Sequence, residues 1–210
     1  MTRAIVAVML MGGLLVSVSA PGCADQGVGD PCTPEQEFDQ SFLGFDEKEV
    51  NVESKSFQCR TRLCLVNHFR GRVSCPYGQS SDGVPPPGTP APNDTGCTIP
   101  GSTAKVTGAD DKGNFSDPRK KATVPAQCSD RKASQAVYCS CRCANTEGRD
   151  DDGANYCKCP DGFVCAQLVT SIGQGNEGLT GGYCIKERTE YDATLGCQQG
   201  DCDPAARRCD

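Results

Sequence analysis

The most apolar stretch of the chain runs from Ala4 to Ala20, carries no charge, and follows a single basic residue, Arg3. A basic start ahead of a short apolar run predicts a secretory signal. A permanent membrane span takes roughly 20 apolar residues, and this run is shorter and loosened by Gly12, Gly13, Ser17 and Ser19. Further on, the period changes. Lys48-Glu49-Val50-Asn51-Val52-Glu53 alternates polar and apolar side chains, as a half-buried strand does. Arg60 to Val73 alternates again: Leu63, Leu65, Phe69 and Val73 would line one face and Arg60, Arg62, His68, Arg70 and Arg72 the other, with Gly71 turning the chain near the end. Joined through Ser54-Lys55-Ser56, the two strands form a hairpin in this reading, with Glu49 and Glu53 opposite Arg60 and Arg62 as cross-strand pairs.

The alternation stops at Gln79. From there to Thr95 the sequence reads QSSDGVPPPGTPAPNDT, which favours extended polyproline II at about 3.1 Å per residue. The stretch divides the chain into a leader (1–22), a small disulfide-bonded β domain (23–78), a Pro-rich linker (79–95) and a disulfide-rich domain (96–210). Cys32, Cys59, Cys64 and Cys75 precede the linker and twelve cysteines follow it, so each half can close its own bridges. Thr98 to Gln127 lacks cysteine and reads as a long loop with one weak hairpin, anchored by Val106, Phe115 and Val124. Later, GQGNEGLTGGYC suits a turn between strands.

Composition changes the picture. The chain holds 17 cysteines and no tryptophan, and only 37% of its residues are hydrophobic even with the leader and cysteines counted. Such a chain is poor in core material, so disulfides must replace burial. The expected fold class is small, disulfide-rich, mainly β and irregular, with two cysteine-rich domains joined by the linker. The formal charge is −6, and removing the leader with Arg3 makes it more acidic, which excludes nucleic acid as a partner. No CxxC pair and no CxxCH haem signature occur. Cys139-Ser140-Cys141-Arg142-Cys143 and Cys157-Lys158-Cys159 place cysteines two apart, where a mutual bond would be strained, so each must find a distant partner. In a reducing cell the same spacing would suit a thiolate cluster, and extracytoplasmic metal capture is therefore an alternative. Export favours disulfides, and neither a metal nor another cofactor is expected.

An odd cysteine count leaves one sulfur to explain. Val18-Ser19-Ala20 suits ordinary small-residue cleavage, which would leave Pro21 first. Ala20-Pro21-Gly22-Cys23 resembles the bacterial lipobox, departing from it where Ala20 stands in place of the usual Leu and where Pro21 precedes Gly22. That resemblance to bacterial lipoproteins implies that Cys23 is diacylated and becomes the mature N-terminus, with Ala24 next, and that the protein sits at the outer membrane through its lipid. Sixteen cysteines then remain to pair: Cys32, Cys59, Cys64, Cys75, Cys97, Cys128, Cys139, Cys141, Cys143, Cys157, Cys159, Cys165, Cys184, Cys197, Cys202 and Cys209. Separately, Tyr156 to Phe163 resembles the second half of an EGF-like module, departing from it where Cys165 follows Phe163 closely.

Catalysis finds little support. His68 is the only histidine, and its one tempting nucleophile, Cys64, is expected in a disulfide. Asp150-Asp151-Asp152-Gly153 fails as a calcium loop, because the ligand positions on either side of it fall on Gly148 and Cys159. The arginine-rich face with Arg60, Arg62, His68, Arg70 and Arg72 is a candidate patch for an anionic glycan or lipid headgroup. The sequence therefore reads as a non-enzymatic, lipid-anchored envelope protein that binds an envelope protein or glycan in adhesion or surface assembly. A soluble secreted binding protein is the alternative.

Overall fold

Four consecutive residues, Cys64-Leu65-Val66-Asn67, are withdrawn from solvent on both faces because their strand, β2, is the middle of a three-stranded sheet. The computed structural model describes residues 27–108, 122–169 and 179–210. The leader, Cys23 and Phe115 lie outside them. Strand β1 (Val50–Glu53) flanks β2 on one side with Glu53 opposite Cys64, and β3 (Val137–Cys139) flanks it on the other with Cys64 opposite Cys139, both antiparallel. The 48–53 hairpin thus forms, but its second strand is short. Arg62 and His68, at its two ends, adopt left-handed φ of 62° and 51°, which stops the extended run. Residues 54–63 become a loop, and Glu53 faces Cys64 rather than an arginine.

Alternate side chains of β2 enter different clusters. Cys64 and Val66 pack with Phe45, Phe69, Val137, Cys32, Cys59 and Cys139, whereas Leu65 packs with Tyr138, Tyr183 and Ile185. The second cluster joins the first sheet to another, in which β6 (Gly181–Lys186) lies between β4 (Arg142–Ala144) and β5 (Phe163–Val169). One short helix, α1 (Ala133–Ala136), precedes β3. The chain crosses between the sheets at Ser140, which is fully buried: its N–H donates to Leu63 O and its hydroxyl to Cys184 O at 2.7 Å. Of the glycine-rich stretch, residues 173–178, where the turn was expected, lie outside the described residues, and Gly181 to Cys184 belong to β6, which pairs antiparallel with β5.

All sixteen described cysteines pair: Cys32–Cys64, Cys59–Cys139, Cys75–Cys97, Cys128–Cys197, Cys141–Cys157, Cys143–Cys165, Cys159–Cys184 and Cys202–Cys209. Eight disulfides belong to an oxidising, extracytoplasmic compartment. Among the described residues no helix is long and apolar enough to cross a membrane. As expected, no bond joins cysteines two apart.

The expectation that residues 79–95 separate two self-contained halves is corrected. Cys59–Cys139 crosses that segment, β3 completes a sheet begun before it, and Cys75–Cys97 brings its ends to a Cα separation of 5.4 Å. It is a surface excursion from the body. Its first residue, Gln79, is buried and bonds Cys97 N and Ala122 O, both at 2.7 Å. Residues 97–106 make the small hairpin expected there, and Ile99, Val106, Ala122 and Val124 form a further apolar cluster with Cys75 and Cys97. Positive φ at Gly71 and Gly78 lets the backbone approach the carbonyls of Pro125 and Val124, where a Cβ would collide.

Arg72, expected on a solvated face, is the largest side chain that is fully buried. Its guanidinium donates to Phe42 O at 2.5 Å and to Glu37 O, and lies 4.0 Å from the Glu37 carboxylate. Glu37, equally buried, accepts from Val73 N and from Ser74 N at 3.0 Å. The pair pins the 3-10 turn Glu35–Phe38 to the turn at 72–75. Removing one partner strands a buried charge, which costs about 3–5 kcal/mol. Arg72→Met and Glu37→Leu, made singly, are each expected to lose that much stability in denaturant titrations with the disulfides intact. The double variant should recover part of the loss. Single variants as stable as the parent would contradict this role.

Candidate functional site

In a 3-10 turn, residues three apart share a face. Glu35 and Phe38 therefore point outward while Glu37 turns in to Arg72, leaving Phe38 51% exposed. Facing this turn is the 54–63 loop, whose polar run Ser54-Lys55-Ser56-Phe57-Gln58 carries one aromatic side chain. Phe57 is 87% exposed, more than any other large apolar residue described.

That ring is held in place nonetheless. Ser56 N donates to Arg62 O and Arg62 N to Cys59 O, and Cys59 is bonded to Cys139. The Arg62 guanidinium lies 4.3 Å from the Phe57 ring centroid. Gln58 is tied to Thr33 in both directions, at 3.0 and 2.7 Å. Glu53 accepts the Glu35 N–H at 3.0 Å. Between these walls lies a cleft of about 360 Å³, lined by Thr33, Glu35, Phe38, Glu53, Phe57 and Gln58, with Lys55 at its edge. Gln36, Asp39 and Gln40 line a recess that shares Glu35 and Phe38 with the cleft. Burial raises the Glu53 carboxyl above the ordinary glutamate range, and the Glu35 charge adds to the effect against the Glu35 N–H bond.

The arginine patch expected from the sequence does not assemble. Arg72 is buried, and Arg62 stacks on Phe57. Arg70 bonds Ala126 O at 3.0 Å and pairs with Asp201, tying down the C-terminal tail. Arg60 lies beside Gly27. His68 is half-buried and stacks on Tyr191 at 4.0 Å between centroids, its Nδ1 donating to Glu47 O at 3.0 Å, and burial lowers its pKa. Arg131 closes that end of β2 by donating to Asn67 O and His68 O, both at 2.7 Å, and to Thr189 O. Cys64, the nucleophile considered for His68, is bonded to Cys32. In the acidic turn, Asp152 accepts hydrogen bonds from Ala154 N, Asn145 and Tyr156, which bring its carboxyl down to about 2. These oxygens serve the turn itself.

The cleft was missed in the sequence because its walls come from segments about 20 residues apart whose contact leaves no periodic trace. The only signal was an aromatic residue stranded in a polar loop. No family model, no curated protein and no solved structure matches this chain.

Glu53 gives the cleft a pH signature. Because its folded-state pKa is raised, the charged form is penalised in the fold; the penalty is present above that pKa and vanishes as pH falls below the ordinary glutamate value of about 4.3. Glu53→Gln keeps an oxygen for the Glu35 N–H, so melting curves should show the variant more stable than the parent at neutral pH and equal to it in acid. A loss of stability at neutral pH would contradict this.

Proposed function

We propose that this chain is an exported envelope lipoprotein, anchored through acylated Cys23, that binds an envelope glycan in the cleft between Phe38 and Phe57. The observation that carries the reading is Phe57: a large apolar ring 87% exposed, on a loop clamped by the Cys59–Cys139 disulfide. An exposed apolar group costs nothing to order when its loop is already fixed, which is the preorganisation a binding site uses. Sugar rings present an apolar C–H face that lies on an aromatic ring, with hydroxyls at the edge. Around Phe38 and Phe57 stand hydrogen-bonding groups that suit hydroxyls: the carboxylates of Glu35, Asp39 and Glu53, the amides of Gln36 and Gln40, and the Lys55 ammonium.

Two further observations support the anchor. The sixteen cysteines other than Cys23 pair completely, so none needs it as a partner. Four residues along from Cys23, Gly27 packs beside Arg60 at the base of the Phe57 loop, and a chain of that length spans at most about 14 Å. An acyl group on Cys23 would therefore keep the cleft close to the membrane, facing the envelope's own polysaccharides.

Phe57→Ala and Phe38→Ala are each expected to weaken retention on purified peptidoglycan or outer-membrane polysaccharide at least tenfold. Stability should stay within about 0.5 kcal/mol of the parent, as for other exposed positions. Unchanged retention would overturn the cleft reading. Separately, Cys23→Ser should move the protein from the membrane fraction to the soluble fraction of its native host, and a variant that stays with the membrane would overturn the anchor.

A further inference from the structure

Two disulfides in the second sheet touch each other. The Cys184 sulfur, bonded to Cys159, lies 3.7 Å from the Cys141 sulfur and 3.6 Å from the Cys157 sulfur, and these two are bonded together. Cys184 is wholly buried and Cys141 nearly so, whereas Cys157 and Cys159 are half-exposed on either side of exposed Lys158. Cys141 and Cys184 also face each other across neighbouring strands. Arg142 pairs with Tyr183 in the β4–β6 ladder, and one residue further out Cys184 N donates to Cys141 O at 3.1 Å. Directly opposed residues of antiparallel strands have Cα atoms about 4.5–5.5 Å apart, within the range that a disulfide spans.

We propose that Cys157-Lys158-Cys159 is a redox-active dithiol, whose two thiols are released together by one two-electron reduction because Cys184 re-pairs with Cys141. The reductant is a dithiol. Its thiolate attacks the Cys159 sulfur, forming a mixed disulfide and breaking Cys159–Cys184, and the electron pair leaves on Cys184. The Cys184 thiolate then attacks the Cys141 sulfur; the Cys141–Cys184 bond forms, Cys141–Cys157 breaks, and the pair leaves on Cys157, which takes a proton from solvent. The reductant's second thiolate resolves the mixed disulfide and releases Cys159, so the reductant ends as a disulfide.

Access directs the first attack to Cys159, the half-exposed sulfur of its bond, and exposure of the leaving group directs the second exchange. The better leaving group is the sulfur that water and a neighbouring cation can stabilise as thiolate, here Cys157 beside Lys158 rather than buried Cys141. The sheet keeps one covalent tie throughout, and the freed CxC is left at the surface to react with a second disulfide. Cys143–Cys165 takes no part.

The test is a titration of the full chain with dithiothreitol at limiting equivalents, quenched with acid, alkylated and mapped by mass spectrometry without further reduction. Molecules labelled at Cys157 should also be labelled at Cys159 and should yield a Cys141–Cys184 cross-linked peptide. Labelling of Cys157 together with Cys141, or of Cys159 together with Cys184, and no Cys141–Cys184 peptide, would overturn the proposal. The double variant Cys157→Ser/Cys159→Ser offers a second reading: it should show no free thiol from Cys141 or Cys184 when purified in air. Two titratable thiols at those positions would contradict the re-pairing.

Discussion

Everything near β2 depends on the bond between Cys59 and Cys139. It closes a separation of 80 residues, and in the chain-entropy account a loop of that length contributes about 4–5 kcal/mol, against about 2 kcal/mol for the seven-residue separation of Cys202 and Cys209. With Cys32–Cys64 it brackets the central strand, so the N-terminal segment, the 54–63 loop and β3 are fastened to one sheet. The four sulfurs are also core material, packed with Phe45, Val66, Phe69 and Val137. A chain poor in large apolar residues thus obtains from cystine both its cross-links and part of its buried surface.

The candidate site takes its shape from the same constraint. One wall is the loop held by Cys59. The other is the turn Glu35–Phe38, whose two faces serve different ends: Glu37 is drawn inward by Arg72 and the backbone of 73–74, and Phe38 is thereby turned outward. A buried charge pair is a costly way to hold a turn, and replacing it by apolar groups is often neutral or better in other proteins. Its value here is positional. The pair admits one orientation of the turn, and with it one placement of Phe38 against Phe57.

Much of the construction was legible in the sequence. The strain of bonding cysteines two apart rightly sent Cys139, Cys141, Cys143, Cys157 and Cys159 to distant partners, and alternation found β1. What local pattern could not carry was long-range pairing. Even cysteine counts on both sides of 79–95 suited two closed halves, yet Cys59 and Cys75 both bond across the segment. Arg72 was misplaced for a related reason: the extended run stops at His68, so alternation no longer assigns a face beyond it, and the partner Glu37 lies 35 residues upstream. The aromatic cleft escaped entirely, because two phenylalanines from separate turns share no period.

The central claim is that disulfides crossing the Pro-rich segment make one body of the chain. It is tested most directly by building a specific protease site at the exposed Pro87-Gly88 position and cutting the folded, oxidised protein there. The account predicts that the cut chain runs as a single species, with unchanged melting behaviour, until reductant is added, and then separates into two fragments. Separation without reductant would show that neither Cys59–Cys139 nor Cys75–Cys97 forms, and would contradict the account.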